Sequence, residues 1–138
     1  MKNIYSLDAC SLFALFNNES GADEVETVLT EALRDNAEVY MNKINLYEVY
    51  YGYYRDSEKH KADEVYNLIK AMPISITETF TDDIFTEAAR LKTQYKMSLA
   101  DSIALGEAII RRAQLVTADH HEFDPVAKKE NVKIYWIR

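Results

Sequence analysis

Residues 3–16 read NIYSLDACSLFALF. The first five residues are a short run with β-branched and aromatic members, which suits a buried strand. LFALF (12–16) is an apolar segment of the kind that opens a helix. Asp8 stands between them. A carboxylate inside an apolar run costs about several kcal/mol unless it is paired or coordinated. In open α/β sheets, ligands bind at the carboxyl ends of strands, and Asp8 closes one. Its other reading is a helix N-cap, a position that Asp fills well.

The same punctuation recurs along the chain. EVYMN (38–42), PISIT (73–77), QLVTA (114–118) and VKIYWI (132–137) read as further strands. Between them the apolar residues change to helical spacing. Val25, Val28, Leu29 and Leu33 form one stripe, Val65, Leu68 and Ile69 a second, and Ile84, Ala88 and Leu91 a third; Ile103, Ala104 and Ala108 continue the pattern. Helical connections between successive strands favour parallel pairing. The expected fold class is therefore α/β, a three-layer sandwich with a five-stranded, mostly parallel sheet flanked by helices. No linker, repeat or low-complexity tract divides the chain, and residues 1–138 are expected to form one domain. Residues 53–61, YYRDSEKHK, form the most polar connection.

Three more acids share the setting of Asp8. Glu48 lies in INLYEVYYG (44–52), and on a helix it shares a face with Gly52, where a missing side chain leaves room for a ligand. Its alternative is a Glu turned to solvent. Asp101 lies in MSLADSIAL (97–105), where Ser98 and Asp101 have capping-box spacing. A helix start favours a carboxylate electrostatically, so cap and ligand are compatible roles. Asp119 follows the strand in LVTADHHEF (115–123); the plainer reading is an acidic turn before Pro125. No Lys or Arg adjoins any of the four. Asp8, Glu48, Asp101 and Asp119 therefore point to one shared cation. Oxygen-only ligand sets suit Mg²⁺ or Mn²⁺, and ions held this way commonly serve phosphoryl transfer or phosphodiester hydrolysis. Thr117 could orient a neighbouring carboxylate, and Glu122 or Asp124 could add a ligand.

Other features carry less. His120 and His121 invite a zinc reading, but adjacent histidines project apart and match no zinc spacing. Cys10 reads as a small buried residue rather than a nucleophile. A single Cys excludes an internal disulfide framework and fits a reducing, cytoplasmic setting. The strand-like MKNIYSL start does not read as a signal peptide, and no apolar run approaches a membrane span. The net charge of −7 disfavours a polyanionic partner, although setting aside the four candidate ligands narrows the acidic excess. Of ten tyrosines, Tyr47, Tyr50, Tyr51, Tyr53 and Tyr54 crowd one short helix. Five phenols cannot all be buried there with partners, so some are expected at an interface.

Taken in order, IYSLDACSLFALF, INLYEVYYG, MSLADSIALGEAI and LVTADHHEFDPV resemble the ordered motifs of PIN-domain nucleases, most of all the VapC toxins of prokaryotic toxin–antitoxin pairs. The resemblance covers the whole chain. It implies a parallel five-stranded sheet and Mg²⁺- or Mn²⁺-dependent endoribonuclease activity on RNA. It also implies a homodimer, and a cognate antitoxin that occupies the active-site groove. Carried over by motif, Asp8, Glu48, Asp101 and Asp119 are the catalytic and metal-binding set. The family usually has Ser, Thr or Asn two residues after the first Asp, and Cys10 stands there. Ser11, next along, is expected to point elsewhere.

Three other readings compete. A receiver domain would need paired acids after its first strand, a strand-end Asp after the third and a Lys closing the fifth; Asp8 is alone, SITETF offers no such Asp, and Lys133 lies inside its run. A haloacid-dehalogenase-type phosphatase would need Asp-x-Asp, where this chain has Asp8-Ala9-Cys10. A catalytically idle PIN-like module would serve only protein binding, and metal-dependent RNA cleavage separates it from the enzyme.

Overall fold

The computed structural model describes residues 1–138. Its strands are β1 (Asn3–Leu7), β2 (Ala37–Asn42), β3 (Ser75–Thr77), β4 (Gln114–Thr117) and β5 (Ile134–Trp136). Its helices are α1 (Ala9–Phe16), α2 (Ala22–Leu33), α3 (Lys43–Asp56), α4 (Lys59–Lys70), α5 (Asp82–Gln94), α6 (Leu99–Arg111) and α7 (His120–Ala127). The five strands form one sheet in the order β3-β2-β1-β4-β5, and every pairing is parallel. A receiver-type sheet would place its third strand beside the first; here β3 is an edge strand.

Neighbouring residues of one strand show how the layers are built. Leu115 and Val116 point to opposite faces of β4, as strand geometry requires. Val116 joins a core with α1, α2, α3 and α4, through residues such as Leu12, Val28, Val49 and Ile69. Leu115 joins a second core with α5, α6 and α7, through Leu91, Leu105 and Phe123. The central strands are covered on both faces, which is why they read as continuous apolar runs. On the second face Gly106 lets α6 approach α5, because a Cβ there would lie 3.1 Å from the Ala88 amide nitrogen.

The elements differ from the sequence expectations in four details. Leu33 and Leu68 fall at the edges of their stripes and are exposed. Residues 53–61 are mostly helical, with only Ser57 and Glu58 between α3 and α4. The segment after Asp119 is a helix rather than a solvated turn. Gly52 does not open space for a ligand: a Cβ there would meet Phe13 Cζ at 2.6 Å, so the glycine serves the packing of α3 on α1.

This strand order decides where a ligand can sit. From β1 the chain moves outward to β2 and β3, then returns across the sheet to β4 and β5. The direction reverses between β1 and β4, and such a switch point opens a crevice at the carboxyl ends of the two strands. Asp8 follows β1 and Asp119 lies just beyond β4.

Candidate active site

Asp8 is buried just past the end of β1. Leu7 pairs with Val116, and the Asp8 amide donates to the Val116 carbonyl at 3.5 Å. Asp8 is also the N-cap of α1, its Oδ1 accepting from the Ser11 amide at 3.0 Å. The Ser11 hydroxyl lies 3.0 Å from the same oxygen and 2.6 Å from the Val116 carbonyl. One hydroxyl proton cannot serve both acceptors fully, and the shorter contact takes the larger share. Ser11 therefore ties α1 to β4 and stands against Asp8, contrary to the expectation that it points elsewhere. Cys10 is half-buried, and burial with the nearby Asp8 charge pushes its thiol up to about 11, which leaves it unreactive.

Asp119 caps α7 through a bond from the Glu122 amide to its Oδ1 at 3.1 Å. Thr117 is buried, and its hydroxyl accepts from the Asp119 amide at 3.0 Å. Asp101 enters from the first turn of α6, where Ser98 Oγ accepts from the Asp101 amide at 3.1 Å. Glu48 comes from the middle of α3, with Asn45 Nδ2 3.5 Å from its Oε1.

The electrostatics reveal a shared environment. Burial pushes the Asp101 carboxyl up to about 7, and the charges of Asp8, Glu48 and Asp119 push in the same direction. Burial pushes Asp8 up to about 6, assisted by Asp119 and opposed by Thr117 and Ser11. Glu48 is also raised by burial, against its bond from Asn45. Hydrogen bonds to a charged group contribute roughly 1.5–3 kcal/mol each, and here they do not overcome desolvation. None of the four acids joins any ion pair of the molecule.

As placed, no three His, Cys, Asp or Glu side chains are close enough to hold an ion. The residues nonetheless fit a hard divalent cation. The donors are carboxylate oxygens, no Lys or Arg pairs with them, and a buried acceptor beside Asp119, Glu122 Oε2, has no hydrogen-bond partner. The pKa of His120 is raised by its bonds to the Arg138 carbonyl and Asp124, with a smaller push from the Asp119 charge. His120 stacks on Trp136 with ring centroids 3.8 Å apart, and its nitrogens meet Asp124 Oδ1 and the Arg138 carbonyl oxygen.

The sequence reading missed Asn45 and a network around Glu107. Glu107 is fully buried and accepts from Asn42 Nδ2 at 2.9 Å, the Thr77 hydroxyl at 2.6 Å and Arg111 Nε at 2.9 Å. The Arg111 guanidinium lies over the Tyr40 ring, 3.9 Å from its centroid. Glu107 offered one signal, an acid within the apolar face of DSIALGEAI. Asn45 offered none, since Asn near a helix start ordinarily reads as capping.

A five-stranded parallel sheet that reverses direction between β1 and β4, with Asp8 and Asp119 just past those two strands, defines the class. The chain belongs to the PIN domain family, whose model matches residues 5–129. Its fold is that of solved VapC-type structures. It is similar to VapBC2 from Rickettsia felis bound to a DNA fragment from their promoter, at 19% identity and TM-score 0.73, covering 96% of this chain and 97% of that one. It is similar to a toxin–antitoxin complex from Klebsiella pneumoniae at 22% identity and TM-score 0.62, covering 86% and 89%. VapC20 from Mycobacterium tuberculosis, a sarcin–ricin loop cleaving toxin, matches at 13% identity and TM-score 0.63, covering 88% and 94%. No curated protein sequence matches the chain. No helix is long and apolar enough to cross a membrane.

Proposed function

We propose that the protein is a metal-dependent endoribonuclease and the toxin of a toxin–antitoxin pair, with Asp8, Glu48, Asp101 and Asp119 as its metal-binding and catalytic residues. The observation that carries this reading is that the charges of Asp8, Glu48 and Asp119 all reach the Asp101 carboxyl, and that of Asp119 reaches Asp8, at the ends of β1 and β4 and the start of α6. Membership of the PIN family supports nuclease chemistry. The likeness to a sarcin–ricin loop cleaving toxin supports RNA as the substrate class. The likeness to toxin–antitoxin complexes supports a cognate antitoxin.

When bound, a Mg²⁺ or Mn²⁺ ion supplies charge neutralisation at the scissile phosphate and acidifies water. Asp8 and Asp101 are the best direct ligands, because both leave rigid elements at helix starts. Thr117 and Ser11 hold Asp8 in place, and Glu122 stands beside Asp119 as a supporting acid. A homodimer is the expected assembly, with a cytoplasmic site of action.

The test compares wild type with Asp8→Asn and Asp101→Asn on structured RNA in Mg²⁺, Mn²⁺ or EDTA. Cleavage is expected only for wild type with a divalent ion. Cleavage that survives EDTA, or both substitutions, would falsify the reading; a wild type that cleaves no RNA but binds its partner favours an idle module.

A further inference from the structure

Glu48 differs from the other three acids in how it is held. It lies within a helix, five residues beyond its first residue, rather than at a strand end or in a helix's first turn. One side chain donates to it, Asn45, one turn earlier on α3. Asn45 is 0% exposed. Its Nδ2 donates to the Ala100 carbonyl at 3.1 Å and faces Glu48 Oε1 at 3.5 Å. Ala100 precedes Asp101 on α6. One amide thus links the helix that carries Glu48 to the helix that carries Asp101. Its orientation is determined, because the opposite flip would set Oδ1 against two acceptors. In the observed orientation Oδ1 is buried without a donor.

A purely structural clamp accounts for only part of this. The Ala100 bond joins α3 to α6, but a buried acceptor without a partner costs about 1–3 kcal/mol, and a Leu of similar size would avoid that cost. We propose that Asn45 is a positioning residue: it orients the Glu48 carboxylate toward the start of α6, and so sets the affinity of the acidic crevice for a divalent cation. The inference rests on the metal-site reading above. Asn45 acts through Glu48 and is not itself a ligand.

The experiment is a thermodynamic cycle on the RNA-free protein, read by Mn²⁺ titration with electron paramagnetic resonance. Melting in EDTA is followed in parallel. The variants are Asn45→Leu, Glu48→Gln and the two combined. Groups that orient metal ligands typically contribute about 10–100-fold in metal affinity. Asn45→Leu is therefore expected to weaken Mn²⁺ binding by about 10-fold or more while still melting cooperatively in EDTA. In the Glu48→Gln background the same substitution should change affinity by less than about 2-fold. If Asn45→Leu fails to fold, Asn45→Ala takes its place in the cycle. A folded variant that binds Mn²⁺ as wild type does overturns the inference, as do effects that multiply in the double variant. If Glu48→Gln weakens binding and Asn45→Leu does not, only the role of Asn45 falls. If wild type takes up no Mn²⁺, the metal-site reading falls with it.

Discussion

Asn42 Nδ2 donates to Glu107 Oε1 at 2.9 Å, joining residues 65 apart in the chain. Asn42 Oδ1 meanwhile accepts from the Ile44 amide and caps α3. The start of the helix that carries Glu48 is thus fastened to the helix that carries Asp101. With Asn45 bonded to Ala100, α3 and α6 are joined at two levels.

This clamp depends on Arg111, the basic partner of the fully buried Glu107. Arg111→Met leaves the carboxylate with neutral donors alone. Removing one partner of a buried pair costs about 3–5 kcal/mol, and the partial exposure of Arg111 puts the expected loss near the lower end. Urea unfolding measures it. A loss below about 0.5 kcal/mol, the range of surface substitutions, shows that the pair contributes nothing.

Stability should depend on pH in a direction set by the acidic crevice. Asp8 rises from an ordinary 3.8 to about 6 and Asp101 to about 7, both through burial. Above those values the native state must bury charge that the unfolded chain exposes freely. Native protein therefore binds more protons than unfolded protein between about pH 4 and 7, and stability rises as pH falls through that window. For Asp8 alone the effect is at most on the order of 3 kcal/mol. Melting in EDTA from about pH 8 to about pH 5.5 should show the increase, and saturating Mg²⁺ should flatten it. A melting temperature that falls on acidification over this interval contradicts the assignment.

Asp8→Asn should separate stability from activity. Asn keeps an oxygen for the Ser11 amide and removes a buried charge near Asp119. Cleavage should be lost, while the metal-free variant melts no lower than wild type at neutral pH and loses the Asp8 share of the pH dependence described above, the share of Asp101 remaining. Differential scanning calorimetry in EDTA, beside a cleavage assay, reads both. A variant less stable than wild type in EDTA would show that the Asp8 charge is compensated without metal.

Gly52 and Phe13 should be energetically coupled. Ala is favoured over Gly within a helix by about 1 kcal/mol, but here its Cβ would meet Phe13 Cζ at 2.6 Å. Gly52→Ala is expected to bring no gain in wild type and a gain approaching that figure in a Phe13→Leu background. Chemical denaturation of the four proteins measures the coupling. Equal effects in both backgrounds dispose of the contact.

The tyrosine helix offers a surface for assembly. Tyr53 is buried and bonds Asn17, and Tyr50 bonds Asp63, whereas Tyr47 is 62% exposed and Tyr51 and Tyr54 are similarly open. Replacing Tyr47, Tyr51 and Tyr54 with Ser should leave folding intact and weaken either self-association or inhibition by the antitoxin. Sedimentation and inhibition titrations read the two. If both are unchanged, these rings serve no interface.

Much of this molecule is legible in the chain because it is encoded over a few residues. Strand and helix follow from local periodicity, and the ends of NIYSL and QLVT place Asp8 and Asp119 at strand ends by count alone. Ser98 caps α6 where its spacing to Asp101 said it would. What no local pattern contains is which strands become neighbours. That is decided by covering both faces of β1 and β4 at once, and the resulting order β3-β2-β1-β4-β5 creates the crevice between them. The same packing makes Gly52 a contact for Phe13 rather than an opening. It buries Glu107 among Asn42, Thr77 and Arg111, and sets Asn45 between Glu48 and Ala100. These partners lie on elements far apart in the chain, and a buried polar group finds its partner only once the whole core has closed around it.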